Sequence, residues 1–392
     1  MAILVINSGS SSLKLSLFKG GPGAPSAVES NTPLKPFWSK KLEGGELDEL
    51  PALISSLGKK ETAPDAIQCV GHRVVHGGTK YSTSTILNDQ VIEDLKGCIE
   101  LAPAHEAANI KAIEQARSVL PQATHIAVFD TSYHYNMPLE SQVYALPWTW
   151  YEDMGIRRYG FHGINHQYCV EELAKISAPQ AARRKVITCH LGSGGSLCAS
   201  LDGRSLMTTM GYTPLEGLVM RGRSGSIDPG IILLFMQKHK FSADQLSAIL
   251  NQESGLKGIS GLSGDMRELE KEMDGGHKRA RLAFDVYIQS LAAHVASLVT
   301  YLGGLDVLIF TGGIGENSPR VRSAVSERLA FLNLHLDKSK NENPNLNLRP
   351  ETAGAGADIS ANNSAVRTYV MAAGEEAAIA RECRNLLSHD PV

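Results

Sequence analysis

The chain has 392 residues, 43% hydrophobic and 20% charged, with a formal net charge of −3. That length exceeds the roughly 250–300 residues at which one hydrophobic core stops growing, so two lobes with a cleft between them are expected. The near-neutral balance, with only short basic clusters at Arg157-Arg158 and Arg183-Arg184-Lys185, argues against nucleic acid as a partner. The apolar fraction excludes a disordered chain, and no run reaches the ~18 apolar residues of a membrane span.

In chain order, Ile3 to Ile6 reads as a buried strand, too short for a secretory signal core, so a cytoplasmic protein is expected. Asn7 to Ser12 punctuates it, and Leu13, Leu15 and Leu17 then alternate with polar residues, which predicts a hairpin. Gly20 to Pro36 reads as a surface loop. Val91 to Leu120 reads as helical, Val128-Phe129-Asp130 as the end of a buried strand, and Gly163 to Ile176 as a second helix. Val186 to Cys189, the turn His190 to Ser196 and Leu197 to Leu201 repeat the opening hairpin, so each copy is expected to open one lobe. Leu282, Val286, Leu291, Val295, Leu298 and Val299 fall near helical spacing ahead of the strand Val307 to Phe310. That strand runs into a glycine-rich loop, Thr311 to Asn317, at a strand's carboxyl end, where open α/β sheets bind ligands. Lys338 to Ala361 reads as a second surface loop, and Glu375 to Leu387 as a helix returning to the first lobe. The alternation of strands and helices argues for α/β lobes. Cys69, Cys98, Cys169, Cys189, Cys198 and Cys383 lack ligand spacing, so buried free thiols are expected and no zinc.

The chemistry-bearing residues cluster at the turns. Gly9 to Lys14 combines glycine, hydroxyls and a lysine, a set that suits a polyphosphate, but it lacks the order of a P-loop and leads into a strand. Gly313-Ile314-Gly315 does not continue into GxGxxG, which weakens a dinucleotide reading. Arg73, in Gly71 to Gly78, and Arg223, in Arg221 to Gly225, are forks for carboxylate or phosphate, or else structural ion pairs. His162 is a candidate oxyanion donor. Asp130 and Glu375 are candidate Mg²⁺ carboxylates, and each reads also as a surface acid or helix cap.

Taken together, Leu4 to Lys14, Gly71 to Gly78, Phe129-Asp130-Thr131, Arg157 to Gly163, Thr213 to Gly217 and Thr311 to Asn317 closely resemble the acetate/propionate kinase family, in order and over nearly the whole chain. The resemblance implies the two-lobed actin/sugar-kinase/Hsp70-like fold with duplicated ribonuclease-H-like domains. It implies an N-terminal lobe over 1–131, a nucleotide lobe over 132–376, and a C-terminal helix, 377–392, packing back. It implies transfer of a phosphoryl group between ATP and a small carboxylate, acetate or propionate, with Mg²⁺ or Mn²⁺, by a homodimer. The roles it implies are catalytic for Arg73, Asp130, His162 and Arg223, with Arg73, Val75 and Pro214 binding the carboxylate. Asn7 and Glu375 would hold the metal. Lys14, His190 to Gly194 (His190, Leu191, Gly192, Ser193, Gly194), Asp265, Met266 and Arg267, and Gly313 to Asn317 (Gly313, Ile314, Gly315, Glu316, Asn317) would contact nucleotide. A substrate carboxylate is already ionised at neutral pH, so no general base is needed and Asp130 is expected to orient Mg²⁺, a water or an arginine. The chain departs from the family pattern at Ala104, at Ser193, at Arg221 and Ser226, and at Ala373-Gly374. At Ala104 the comparison with the family pattern implies a shorter side chain and so a larger acyl pocket.

Overall fold

The computed structural model describes residues 2–9, 12–20, 34–43, 47–57, 67–176, 184–343, 346 and 356–389. Ser10 and Ser11 of the first turn, the side chain of Ala104, and most of the two expected surface loops lie outside the described residues.

Each half of the chain builds one six-stranded sheet. The first contains β1 (Ala2–Ser8), β2 (Ser12–Lys19), β3 (Pro36–Glu43), β4 (Ile67–Val74), β5 (Thr85–Ile86) and β6 (Thr124–Phe129) in the order β3-β2-β1-β4-β6-β5. The second contains β7 (Lys185–Leu191), β8 (Gly195–Leu201), β9 (Arg204–Thr208), β10 (Val307–Thr311), β11 (Gly356–Asp358) and β12 (Arg367–Met371) in the order β9-β8-β7-β10-β12-β11. Strand directions also match: β1 and β7 pair antiparallel with the next strand and parallel with β4 and β10, and β5 and β11 close each sheet antiparallel. The hairpin repeat in the sequence is therefore the visible part of a complete duplication, and this is the expected two-lobed fold.

The helices follow from what each sheet must cover. α1 (Leu50–Leu57), α2 (Asp89–Lys96) and α3 (Pro103–Val119) shield the outer face of the first sheet, with Leu50, Ile54, Ala112 and Ala116 against Leu4, Leu15 and Val70. α4 (Gly163–Ile176) has the predicted bounds and lies between the two sheets. A single apolar cluster there joins Ile164, Tyr168 and Cys169 of α4 with Val5 and Val128 of the first sheet and Ile309 of the second. α5 (Pro229–Lys238) is a surface helix. α6 (Lys278–Leu302) is apolar and long enough to cross a bilayer, but it packs Phe284, Ile288, Leu291 and Val295 into the core outside the second sheet. α7 (Gly312–Asn317) follows β10, and α8 (Glu375–His389) returns to pack Ile379, Ala380 and Cys383 beside α4.

Three expectations are corrected. The stretch from 91 to 120 is two helices: α2 ends at Gly97, a 3₁₀ turn covers Ile99–Leu101, and Pro103 at the first turn of α3 starts anew, where its missing N–H costs nothing. The glycine-rich segment after β10 is a short helix and not a loop, its first N–H held by the Glu316 carboxylate at 2.9 Å. Lys338–Asn341 is a helical turn whose Asn341 is buried on Arg322, and Gly356–Asp358 is a strand, so the segment from 338 to 361 contains ordered structure.

Candidate active site

The duplication places the carboxyl ends of the parallel strands of both sheets at one cleft, which encloses about 680 Å³. Asn7 is the penultimate residue of β1, Arg73 of β4 and His190 of β7; Asp130 follows β6, Gly312 and Gly313 follow β10, and Glu375 follows β12 by four residues. Side chains more than 350 residues apart in sequence thereby meet. Arg73 donates Nε to Asp130 Oδ1 at 3.2 Å and Nη2 to Asp130 Oδ2 at 2.5 Å, and its Nη1 lies 3.5 Å from Asn7 Oδ1. The Asn7 amide donates to Glu375 Oε2 and Glu376 Oε1, both at 2.9 Å, and Lys14 Nζ lies 3.4 Å from Glu376.

Charge is arranged by these contacts. Burial works against ionisation of Glu375, but Arg73, His190 and Lys14 hold its carboxyl below the usual range. Glu375 and Glu376 also occupy the first turn of α8, where the helix dipole favours anions. Burial raises the Asp130 carboxyl against the pull of Arg73, and the paired bonds are those of an orienting ion pair.

His162 has φ +58°, a left-handed conformation that few non-glycine residues adopt and that stores strain to aim the ring. It stacks on His190 with centroids 4.2 Å apart, and its Nδ1 lies 2.8 Å from Ser196 Oγ. Burial, with His190 and Arg73 nearby, lowers its pKa well below the ordinary histidine value, so the ring is neutral at pH 7.

Arg223 differs from Arg73 in one respect. Its Nη1 donates to the Pro214 carbonyl at 3.2 Å and its Nη2 lies 3.5 Å from His105 Nε2, but no carboxylate pairs with it among the described residues. Beside it stands an apolar wall of Val75, Phe161 and Pro214, backed by Ala102, Met210 and Met220. A half-buried, uncompensated guanidinium next to a small apolar wall fits a short carboxylate, head to Arg223 and methyl to the wall. Across the cleft, Ser193, Gly194, Gly264, Gly312 and Gly313 present open backbone. Gly312 has φ +79°, and a Cβ there would stand 2.8 Å from the Leu191 carbonyl oxygen, so only glycine fits.

The acetokinase family model matches residues 2–381. The chain belongs to the acetokinase family. It is 44% identical to acetate kinase of Synechococcus sp. (strain JA-2-3B'a(2-13)) with 99% of both chains covered, and 47% identical to that of Microcystis aeruginosa over 82% of this chain and 77% of that protein. Among solved structures it matches a Francisella tularensis propionate kinase with a TM-score of 0.84 at 36% identity, covering 98% and 99% of the two chains. Porphyromonas gingivalis acetate kinase gives 0.83 at 33% identity, with the same coverage. The chain is thus a kinase.

Within this acetokinase the residues singled out in the sequence divide into two groups. Asn7, Lys14, Arg73, Val75, Asp130, His162, His190, Ser193, Gly194, Pro214, Arg223, Gly313 and Glu375 line the cleft. Leu191 and Met266 are buried in the outer core. Asp265 caps the helix Met266–Asp274 and binds exposed Arg267 at 2.7 Å, while its neighbours Ser263 and Gly264 face the cavity. Glu316 accepts from the Gly312 and Ala373 amides, and Asn317 donates to the Gly313 carbonyl, so both brace the backbone of α7. Sequence reasoning missed His105 beside Arg223, the second acid Glu376, and the pair Asn165 and His166 in the first turn of α4, the helix that His162 precedes.

It also missed Glu106. This buried carboxyl group accepts from the His76 amide at 3.1 Å behind the apolar wall, its Oε1 has no partner among the described residues, and burial pushes its pKa up to about 8. The folded state keeps a proton that the unfolded chain releases near the ordinary glutamate value of 4.5, so this group's stabilisation is lost as pH rises from about 4.5 through 8. Glu106→Gln keeps the acceptor for His76 and is expected to remove that slope. At pH 9 it should be more stable than wild type by up to on the order of 4 kcal/mol, with near-parity at pH 5. Denaturant titration at both pH values checks this; equal slopes in the two proteins would exclude it.

Proposed function

We propose that this chain catalyses reversible, in-line transfer of the γ-phosphoryl group of ATP to acetate, giving acetyl phosphate and ADP. The observation that carries the reading is Arg223, a half-buried cation with no carboxylate partner among the described residues, set between the apolar wall and the glycine-rich loops. The acetate carboxylate would take Arg223 as its counter-ion, and Val75, Phe161 and Pro214 would exclude water from its methyl group. Arg73, locked by Asp130, would face the transferring phosphoryl group. His162 would donate from a neutral ring as charge shifts onto the bridging oxygens. No residue needs to abstract a proton, because the nucleophile is already a carboxylate.

The donor set beside the phosphate loop fits Mg²⁺. Asn7 Oδ1 and the Glu375 carboxylate offer hard oxygen ligands on side chains that the Asn7 amide N–H ties together, and a nucleotide-bound Mg²⁺ needs only one or two from the protein. When bound, the ion would neutralise phosphate charge. A hydroxamate trap for acyl phosphate, run with Mg-ATP and either acetate or propionate, tests the whole reading. Signal that requires both carboxylate and Mg²⁺ is expected. ATP hydrolysis indifferent to carboxylate would overturn it. The fit to a propionate kinase and the small residue at Ala104 favour propionate as a second substrate, each extra buried methylene being worth about 0.8 kcal/mol.

We infer further that two copies associate through α5, whose Ile231 and Leu233 are 46% and 57% exposed, with Leu234 and Met236 beside them. Light scattering should report a dimer that Ile231→Lys/Leu233→Lys converts to monomer; an unchanged mass would rule out this face.

A further inference from the structure

His162 carries its proposed role only if one particular nitrogen bears its proton. Its Nε2 faces the cleft, since a Cβ placed on Gly194 would stand 3.6 Å from that atom and 3.5 Å from Arg223 Nη1. A neutral imidazole has one N–H, so donation into the cleft requires Nδ1 to be an acceptor. Burial keeps both His162 and His166 neutral.

Behind His162 lies a chain of buried polar groups. His162 Nδ1 is 2.8 Å from Ser196 Oγ, Ser196 Oγ is 2.8 Å from His166 Nε2, and His166 Nδ1 is 2.5 Å from Thr188 Oγ1. Ser196, His166 and Thr188 are fully buried. Each hydroxyl has a single proton, and Ser196 Oγ has no third polar partner among the described residues, so both histidines donating to it would strand its proton and the chain runs in one direction or the other. Thr188 Oγ1 has no second polar partner among the described residues, and its proton can satisfy only His166 Nδ1. His166 then carries its proton on Nε2 and donates to Ser196, and Ser196 donates to His162 Nδ1. The reverse direction would strand the Thr188 proton in the core, a loss on the order of 1–3 kcal/mol.

The stacked neighbour has the same orientation for a different reason. The Asn165 amide nitrogen lies 2.9 Å from His190 Nδ1, and Asn165 Oδ1 accepts from the Gly374 amide, which fixes the amide's orientation. An amide nitrogen only donates, so His190 Nδ1 accepts and its Nε2 bears the proton.

We propose that Ser196 is a positioning residue that, oriented by His166 and Thr188, holds His162 in the tautomer with Nε2–H directed at the transferring group. The catalytic consequence rests on the phosphoryl-transfer reading, but the tautomer itself does not. The test uses the full-length protein labelled with ¹⁵N-histidine, with two-bond ¹⁵N–¹H correlations assigned by loss of the signal in His162→Gln. Wild type should show His162 protonated on Nε2 alone. Ser196→Ala should show a mixture of tautomers and a kcat lower by about tenfold with KM values within about twofold, as for loss of a group that orients a reactive residue. Ser196→Thr, which keeps the hydroxyl, should restore both the single tautomer and the rate. Thr188→Val, more remote from the cleft, should shift the tautomer in the same direction. A His162 proton on Nδ1 in wild type, or a pure Nε2–H signal surviving in Ser196→Ala, overturns the proposal. A correct spectrum without carboxylate-dependent activity would instead overturn only the functional reading.

Discussion

Arg223→Ala is expected to lower kcat/KM for acetate by roughly 10³-fold while leaving thermal stability unchanged or slightly higher. A cation that stabilises charge in a phosphoryl-transfer transition state is worth about 10³–10⁵ in rate. What separates Arg223 from an ordinary buried arginine is the absence of a carboxylate partner among the described residues, so its charge is only partly compensated by the Pro214 carbonyl. Burial lowers its pKa, the direction expected of a guanidinium held ready for an anion that arrives with substrate. Removing such a group takes away an uncompensated charge and so does not harm the fold. Arg223→Lys keeps the charge but loses the fork and should recover only part of the rate. Steady-state kinetics with a melting curve on each variant checks this. A melting temperature that falls together with activity would mean that Arg223 is structural.

Much of this arrangement was legible in the chain because it is carried by local pattern. The two hairpins, Ile3 to Leu17 and Val186 to Leu201, show their alternation directly, and they open two sheets of identical strand order. The ends of β1 and β7 were visible as apolar runs giving way to polar residues, which put Asn7 and His190 at turns, whereas Arg73 stood out only as an arginine among apolar residues and glycines. What stayed hidden depends on partners distant in sequence. Nothing near Glu106 signals that the His76 amide will donate to it, and nothing near Ser196 signals that two histidines will converge on it. The helical reading of 91 to 120 failed for a local reason: apolar periodicity continues through Gly97 and Pro103, although the backbone breaks between them. Gly312 to Asn317 failed for the opposite reason. Its glycines read as a loop, but the Glu316 carboxylate at the first amide and the adjoining β7 backbone hold a helical turn.

Asp130→Asn is the second large effect expected, and it separates two mechanisms. If Asp130 abstracted a proton, its loss would remove the limb of the pH–rate profile that reports its ionisation. The geometry argues otherwise, because both carboxylate oxygens are taken by Arg73, at 3.2 and 2.5 Å, and Asp130 is buried behind it. The variant keeps one acceptor but turns a donor toward the guanidinium, so Arg73 loses its bidentate anchor and keeps only its 3.5 Å contact with Asn7 Oδ1. A misplacement of about 1 Å costs on the order of 10²-fold, and that loss in kcat is expected with the shape of the pH profile unchanged. Stability should fall as well, by roughly 3 kcal/mol, because Arg73 is left as a buried charge without its partner. Asp130 and Arg223 variants therefore have opposite signatures: both lose rate, and only Asp130→Asn loses stability. A pH profile that loses a limb in Asp130→Asn, with the melting temperature intact, would restore Asp130 as a base and remove the ion pair from the account of how Arg73 is aimed.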